Sequence, residues 1–250
     1  MISNQPDPIE LSTACRCSPW LSAVAYPLAC KVVLPFYFQT ITVIGQENIP
    51  TDGPVILAPT HRSRWDALIL GYAAGRWATG RDLRFMVTSD EVKGLQGWFI
   101  RRLGGFPVNP RNPAIASLRC GVDILQNSEM LVIFPEGAIF QDNQLHRLKP
   151  GLARLALQAE SLRPGLNTKI VPISLHYGAP NVPWGCGVTV RIGQPLSVHE
   201  YRHGSAKQSA QHLTQDLDTA LRTLDAHSFA IAPSSGGEEG EESLALTHRS

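Results

Sequence analysis

The sequence has 250 residues, of which 43% are hydrophobic and 17% are charged, and its formal net charge is +1. This length supports one sizeable domain with its own core. The nearly neutral charge, without zinc-finger spacing or an aromatic RNA-binding signature, argues against a nucleic-acid partner. The low charged fraction indicates that apolar surface is exposed somewhere, for example toward a membrane.

The chain begins with residues 1–17, predicted to be a flexible leader, and continues into a helical segment predicted at 18–44. Within it, residues 19–38 read PWLSAVAYPLACKVVLPFYF, an apolar run interrupted by three prolines and a lysine. A transmembrane helix needs about 20 clean apolar residues. We therefore expect a kinked, membrane-associated helical segment that lies in the interface, where its terminal aromatic residues are typical. The alternative is a helix buried against the core.

Strand-like and helix-like segments alternate from residue 54 onward, inside a domain predicted at 45–230. Apolar runs predict strands at 54–59, 83–88, 106–108, 130–135, 169–177 and 187–193. Helices are predicted at 64–75, 113–126, 151–160 and 205–227. This alternation predicts an α/β fold with a central, mostly parallel or mixed sheet covered by helices. The tail at 231–250, which contains SSGGEEGEES, is predicted to be disordered.

Two polar residues, His61 and Asp66, follow the strand predicted at 54–59. Positions five apart lie about 140° from each other on a regular helix. The two side chains can therefore meet only if His61 lies in the loop before the helix and Asp66 in its first turn. Open α/β sheets place their sites at this end of a strand. The pair is either catalytic or part of a capping box in which Asp66 acts with Ser63.

A second stretch, VIFPEG at 132–137, is a predicted strand that runs into Glu136 and Gly137. An acidic residue and a glycine at a strand end are typical of a site loop, although a turn or a helix cap also fits. The sequence has no second histidine at HExxH spacing and no GxSxG elbow. These two absences argue against a metal or serine hydrolase, and we predict no metal site.

Four short blocks in order resemble the glycerolipid acyltransferase family, which includes the lysophosphatidic acid acyltransferases. The blocks are HRSRWD at 61–66, GGFPVNPR at 104–111, FPEG at 134–137 and IVPISL at 170–175. The resemblance implies transfer of a fatty acyl group to the free hydroxyl of 1-acylglycerol-3-phosphate, giving phosphatidic acid in phospholipid biosynthesis. It implies no bound cofactor, because the acyl-CoA or acyl-carrier protein donor is a co-substrate. The implied partners are a lysophospholipid acceptor, the acyl thioester donor and a membrane lipid surface.

The resemblance also implies roles for individual residues. His61 would be the general base, and Asp66 would hold its tautomer. Glu136 would position the acceptor hydroxyl or the loop, and the backbone near Gly137 would stabilise the oxyanion. Arg111 would bind the acceptor phosphate.

The third block departs from the family pattern Glu-Gly-Thr-Arg-Ser, because EGAIF stands at 136–140. The threonine and a phosphate-binding arginine are missing. Lys149, in the family-like segment LKPG, is the predicted replacement, unless Lys149 and Arg147 belong to an ordinary solvated loop. The departure keeps two other functions open. One is an acyltransferase for another lysophospholipid or an unusual hydroxyl acceptor, and the other is a non-catalytic lipid-binding protein on the same fold.

Several charged positions have more than one interpretation. Arg62 and Arg64 either attract an anionic substrate or solvate the helix start, and His176 is expected to be an ordinary packed or surface histidine. Residues 76–111 contain seven basic and three acidic residues. This patch is a lipid-docking edge, a surface for an acidic carrier protein or a solvated helix face. Together with the N-terminal segment, the first interpretation predicts a monotopic or peripheral protein at the cytoplasmic face of a membrane.

Overall fold

The computed structural model of the chain describes residues 19–88, 100, 102, 104–108, 115–142, 144–202 and 204–229. The predicted leader, the predicted tail and Arg111 lie outside these ranges. In the described part, eight strands form one sheet. The strands are β1 (Ile41–Ile44), β2 (Val55–Pro59), β3 (Leu83–Thr88), β4 (Gly105–Val108), β5 (Met130–Val132), β6 (Lys169–Tyr177), β7 (Val188–Ile192) and β8 (Leu196–Ser197). The helices are α1 (Pro19–Leu28), α2 (Leu34–Tyr37), α3 (Asp66–Ala74), α4 (Arg76–Thr79), α5 (Ile115–Gln126), α6 (Gly151–Leu162) and α7 (Ala206–Phe229).

The sheet is mixed and mostly parallel, as the sequence predicts. Its order is β1-β7-β6-β2-β5-β3-β4, and β8 pairs with β6 outside this path. The five strands from β6 to β4 run parallel to one another. Strand β7 runs antiparallel to β6 and parallel to β1. The carboxyl ends of β2, β5 and β6 therefore lie along one edge of the sheet.

Helices cover both faces of this sheet because its central strands are apolar throughout. All five residues of β2 are buried. Ile56 and Ala58 face one cluster, which contains the apolar sides of α5, α6 and α7. Val55 and Leu57 face the other cluster, which contains residues of α2 and α3. Burial on both faces is what a parallel sheet requires.

The N-terminal segment differs from the prediction at its end. Helix α1 leads through a π-helical stretch at Ala29–Val33 into α2, which ends at Tyr37. Residues 41–44, predicted to belong to the helical segment, form the edge strand β1 instead, so the sheet begins before residue 45. The β-branched residues of ITVI favour a strand, in which partly buried and exposed positions alternate. Among the residues that the structure describes, no helix has the length and apolar character needed to cross a membrane.

Most of the other predicted elements are present, but the short helix α4 and the strand β8 were not predicted. Strands β3 and β6 have the predicted bounds. Strand β5 ends at Val132 rather than at 135, because the chain turns at Phe134–Gly137, where the Gly137 amide donates to the Phe134 carbonyl. The short strand β8 was not predicted, since two residues carry no usable periodicity.

Candidate active site

The two predicted site loops meet at the carboxyl edge of the sheet. Strand β2 ends at Pro59 and leads into His61, while β5 ends at Val132 and leads into Phe134–Gly137. The strands are hydrogen-bonded neighbours, so their loops are adjacent. The rings of His61 and Phe134 stack with centroids 3.8 Å apart, and the Phe140 amide donates to the His61 carbonyl at 2.8 Å.

His61 and Asp66 form the predicted contact. His61 Nδ1 lies 2.8 Å from Asp66 Oδ2. The Asp66 side chain is fully buried, whereas that of His61 is 20% exposed. An ionised carboxylate only accepts hydrogen bonds, so Nδ1 carries the proton and Nε2 presents a lone pair. Within the described ranges, no group is hydrogen-bonded to Nε2, which leaves it available to a substrate.

Asp66 is held by a full set of donors. Besides Nδ1, its Oδ2 accepts the amide hydrogens of Arg62 at 2.7 Å and Ser63 at 2.9 Å. Its Oδ1 accepts the hydroxyl hydrogen of Tyr177 at 2.7 Å. Burial and the neighbouring Asp66 carboxylate raise the pKa of Tyr177 far above its usual range, so the hydroxyl stays a donor. These bonds fix the carboxylate that orients the His61 ring.

The capping interpretation of Asp66 is met in part. The Asp66 side chain accepts from the Ser63 amide, which is one half of a capping box. The Ser63 hydroxyl accepts from the Trp65 amide at 3.3 Å rather than from Asp66. The same carboxylate therefore both shapes the start of α3 and contacts the His61 ring.

Glu136 lies beneath His61 rather than at an open surface. Its Oε1 accepts the His61 amide hydrogen at 2.9 Å, and its Oε2 accepts the His146 amide hydrogen at 3.0 Å. Arg62 Nη1 donates to both oxygens, at 2.8 and 3.1 Å. Arg62 is itself only 2% exposed, so it is an internal partner of Glu136 and not a surface attractant. Of the two roles predicted for Glu136, this geometry favours holding the loop.

Gly137 and Lys149 are in direct contact. Gly137 has a φ of +72°, and a Cβ added there would lie 2.5 Å from Lys149 Nζ. A side chain here would displace the end of Lys149, and the positive φ itself favours glycine. Because the Gly137 amide donates to Phe134, that particular N–H is not available to an oxyanion. Lys149 is exposed and lines a cavity of about 470 Å³ together with Ala138, Phe140, His146 and Arg147.

The basic patch predicted at 76–111 is largely engaged within the protein where it is described. Arg76 pairs with Asp82 at 2.5 Å, and the buried Arg84 pairs with Glu129 at 2.7 Å. Arg81 donates to the carbonyls of Gly53 and Ser128, each at 2.6 Å. These three arginines support the fold. Residues 89–99 and Arg111 lie outside the described residues.

Comparison with known proteins identifies the family. The sequence model of the family described as Acyltransferase matches residues 40–176. This range includes the loops of His61 and Glu136 and all of β6 except Tyr177. The chain belongs to the Acyltransferase family. It is an O-acyltransferase of lipid synthesis, and acyltransferases of this family need no cofactor.

Three relatives of this acyltransferase have low sequence identity to it but match most of this chain. The 1-acyl-sn-glycerol-3-phosphate acyltransferase of Bacillus subtilis is 23% identical over 79% of this chain and 94% of its own length. The enzyme of the same name from Streptococcus pneumoniae is 24% identical over 72% of this chain and 64% of its own length. Human mitochondrial glycerol-3-phosphate acyltransferase 1 is 23% identical over 77% of this chain but only 27% of its own length.

The solved structure of the 1-acyl-sn-glycerophosphate acyltransferase PlsC from Thermotoga maritima has the same fold as this acyltransferase. The TM-score is 0.62 at 20% identity, over 84% of this chain and 80% of that chain. The α/β fold with its mixed, mostly parallel sheet is thereby confirmed.

The sequence predicts neither the contact of Tyr177 with Asp66 nor the burial of Arg62. Tyr177 bonds to Asp66 from 111 positions away, and no local pattern links a tyrosine at a strand end to an aspartate on a helix. Arg62 is buried against Glu136, where neither of the two roles predicted for it applies. The sequence does contain one signal for this burial, because Arg62 directly follows His61 and the third block supplies the carboxylate of Glu136. A buried carboxylate requires a cation or several donors.

Proposed function

We propose that this enzyme transfers a fatty acyl group from acyl-CoA or acyl-carrier protein to the free hydroxyl of 1-acylglycerol-3-phosphate, giving phosphatidic acid. The observation that carries the proposal is the His61–Asp66 contact, in which Nδ1 is bonded to a buried carboxylate and Nε2 is left open. The names of the bacterial relatives support the choice of acceptor.

The reaction needs one base and no covalent intermediate. Nε2 of His61 takes the proton of the acceptor hydroxyl as its oxygen attacks the thioester carbonyl. Asp66 stabilises the imidazolium that results. Collapse of the tetrahedral intermediate breaks the carbon–sulfur bond, and the imidazolium returns its proton to the departing thiolate. The products are the ester and the free thiol.

The acceptor phosphate has cationic candidates near the third block. Lys149 and Arg147 line the cavity that Glu136 also lines. Lys149 also crosses Gly137, directly after the residue that supports the His61 loop. We assign phosphate binding to Lys149, with Arg111 as the second cation implied by the family pattern. The charge of Glu136 does not oppose an anion here, because Arg62 compensates it.

The test is an acyl-transfer assay on the purified, detergent-solubilised protein. Labelled acyl-CoA and acyl-carrier protein are offered with 1-acylglycerol-3-phosphate, other lysophospholipids and glycerol-3-phosphate. His61→Ala should lower turnover by roughly 10²–10⁴-fold, because it removes the general base. His212→Ala, which changes an exposed histidine on α7, is the matched control and should retain full activity.

Near-normal turnover in a folded His61→Ala protein would contradict the role of His61. Transfer to another hydroxyl acceptor but not to 1-acylglycerol-3-phosphate would support the second candidate function. That candidate is favoured by one observation: Ala138, Ile139 and Phe140 stand where the family has a hydroxyl and a phosphate-binding arginine. A preference for glycerol-3-phosphate would place this chain with the mitochondrial relatives.

We also propose that the protein is monotopic or peripheral at the cytoplasmic face of a membrane. An exposed apolar stripe supports this idea. It consists of Trp20, Val24, Leu28, Val32 and Phe36, each four positions from the next and each more than half exposed. A step of four overshoots the α-helical turn of 3.6 residues, and the wider π turn at Ala29–Val33 compensates part of that drift. Exposed apolar surface of this kind is typical of interfacial helices.

A further inference from the structure

Arg62 lies between two carboxylates, of which the site described above uses only one. On one side, Nη1 donates to both oxygens of Glu136. On the other side, Asp225 Oδ2 lies 4.0 Å from Nη2. Asp225 belongs to α7, beyond the residues that the family model matches, and it is part of none of the four sequence blocks.

At this second contact, each of two buried polar atoms faces the opposite charge of the other. Arg62 Nη2 and Asp225 Oδ2 are both buried, and neither has a hydrogen-bond partner within the described ranges. The Ser174 hydroxyl bonds to Asp225 Oδ1, which fixes the carboxylate from the side of β6. Buried charges are retained only where an opposite charge compensates them. The attraction of Asp225 therefore restrains the orientation of the Arg62 guanidinium.

The guanidinium in turn holds the backbone of His61. Through Nη1 it fixes Glu136, whose Oε1 accepts the His61 amide hydrogen at 2.9 Å. Nη1 also lies 3.4 Å from the His61 carbonyl oxygen. A rotation of Arg62 would therefore move both polar groups of the His61 backbone. A displacement of about 1 Å at a reacting group can cost roughly 100-fold in rate.

We propose that Asp225, fixed by Ser174, is a positioning residue for acyl transfer. It acts through Arg62 and Glu136 to hold His61 where Nε2 meets the acceptor hydroxyl. Helix α7 is thus part of the catalytic apparatus even though it contributes no group to the substrate. This inference rests on the proposed role of His61 as the base.

The experiment measures kcat and both KM values for Asp225→Asn, which keeps the shape of the side chain and removes its charge. We expect kcat to fall by roughly ten- to a hundredfold while both KM values stay unchanged. The matched control is Asp218→Asn on the same helix, where the carboxylate pairs only with the exposed Arg222 among the described residues. It should retain the kcat of the unmodified protein. Unchanged kcat in folded Asp225→Asn overturns the proposal.

A double variant distinguishes positioning from a separate structural role. Arg62→Gln is measured with and without Asp225→Asn. If Asp225 acts through Arg62, the second substitution adds little to the loss of kcat caused by the first. If the losses of kcat caused by the two single substitutions multiply in the double variant, the proposal is overturned. If either of these charge-removing variants fails to fold, Ser174→Ala tests the proposal instead. It removes the hydrogen bond that fixes Asp225 but leaves every charge in place. A drop of several-fold in kcat supports the proposal, and no change overturns it.

A spectroscopic readout separates this inference from the proposed function. The ring nitrogen resonances of His61 are followed in protein labelled with ¹⁵N-histidine and assigned with His61→Ala. Asp225→Asn should shift them, whereas Asp218→Asn should not. If no acceptor is acylated but the shift occurs, the proposed function fails, and with it the role in acyl transfer; only the contact by which Asp225 orients His61 is then supported. If the unmodified protein is active and neither kcat nor the resonances respond to Asp225→Asn, the positioning role alone fails.

Discussion

At the scale of single residues, the centre of the site is a carboxylate rather than the histidine. Asp66 is fully buried, and its two oxygens accept four hydrogen bonds. Three of these come to Oδ2 from the His61 loop, and the fourth comes to Oδ1 from Tyr177 on β6. The two oxygens therefore have different contacts: Oδ2 orients the His61 ring, and Oδ1 ties the start of α3 to the sheet.

Tyr177→Phe tests this division. It leaves the buried Oδ1 without a donor among the described residues, which should cost about 1–3 kcal/mol of unfolding free energy. Turnover at a temperature where the protein is folded should fall only modestly, because the Nδ1 contact on Oδ2 is kept. Chemical denaturation and the acyl-transfer assay measure the two effects.

The control for Tyr177→Phe is Tyr201→Phe. The Tyr201 hydroxyl also donates to an aspartate, Asp216, at 2.7 Å, but that pair is exposed. Removing this hydroxyl should change the unfolding free energy by no more than about 0.5 kcal/mol. Equal destabilisation by the two substitutions would contradict the importance of the buried Oδ1.

At the scale of elements, the N-terminal helices and the loop between β6 and β7 form one apolar surface. Phe36 meets Trp184 edge to face, with ring centroids 4.3 Å apart, and both side chains are exposed. The Gly185 amide donates to the Tyr37 carbonyl, and the Tyr37 hydroxyl donates to the Val182 carbonyl. The loop therefore extends the apolar stripe beyond the helix itself.

Leu28→Glu tests whether the stripe binds a bilayer. Placing a charge where an apolar side chain enters the lipid should weaken binding to phosphatidylcholine–phosphatidylglycerol vesicles by roughly tenfold or more. Leu162→Glu is the matched control, because Leu162 on α6 is also exposed but does not belong to the stripe. Vesicle co-sedimentation measures both. Equal binding by the two variants would exclude the stripe as the attachment surface.

Sequence periodicity predicted the elements whose partners are close or whose patterns are long. It gave the bounds of β3 and β6 because these strands are apolar runs flanked by turn residues. It missed β1 because ITVI follows an apolar helical segment and pairs with a strand far along the chain. In the site, local spacing predicted the His61–Asp66 contact. The Tyr177 and Asp225 contacts depend on tertiary folding, which no short window of sequence contains.

At the scale of the whole molecule, strand β6 connects the parts of the site. Leu175 donates its amide hydrogen to the Thr60 hydroxyl at 2.9 Å, and Ile173 accepts the Thr60 amide hydrogen. Ser174 and Tyr177 reach Asp225 and Asp66 from the same strand. Strand β6, which is the last parallel strand before β7, therefore also supports the loop that contains His61.

This strand also carries a pH-sensitive contribution to stability. Burial lowers the pKa of His176; nearby Asp225 opposes this effect, and Arg191 and Arg62 add to it. The unfolded chain then binds a proton more readily than the folded one. The contribution is present above the ordinary histidine pKa near 6.5 and is lost as the pH falls below that value.

His176→Gln tests this pH dependence. The free energy of unfolding is measured by denaturant titration at about pH 7.5 and about pH 5, on either side of the ordinary histidine pKa. The loss of stability on acidification should be smaller in the variant than in the unmodified protein. An identical loss in both proteins would show that His176 titrates alike in the folded and unfolded states.

The position of β1 has a consequence for the order of events during synthesis. Strand β1 ends at Ile44, and its partner β7 begins at Val188. A ribosome that adds 5–20 residues per second needs roughly 7–30 seconds to make the intervening chain. Throughout that interval β1 lacks its partner strand β7, and Phe36 lacks its contact with Trp184. The apolar stripe is therefore synthesised before the catalytic fold is complete, so the membrane attachment proposed above can precede activity.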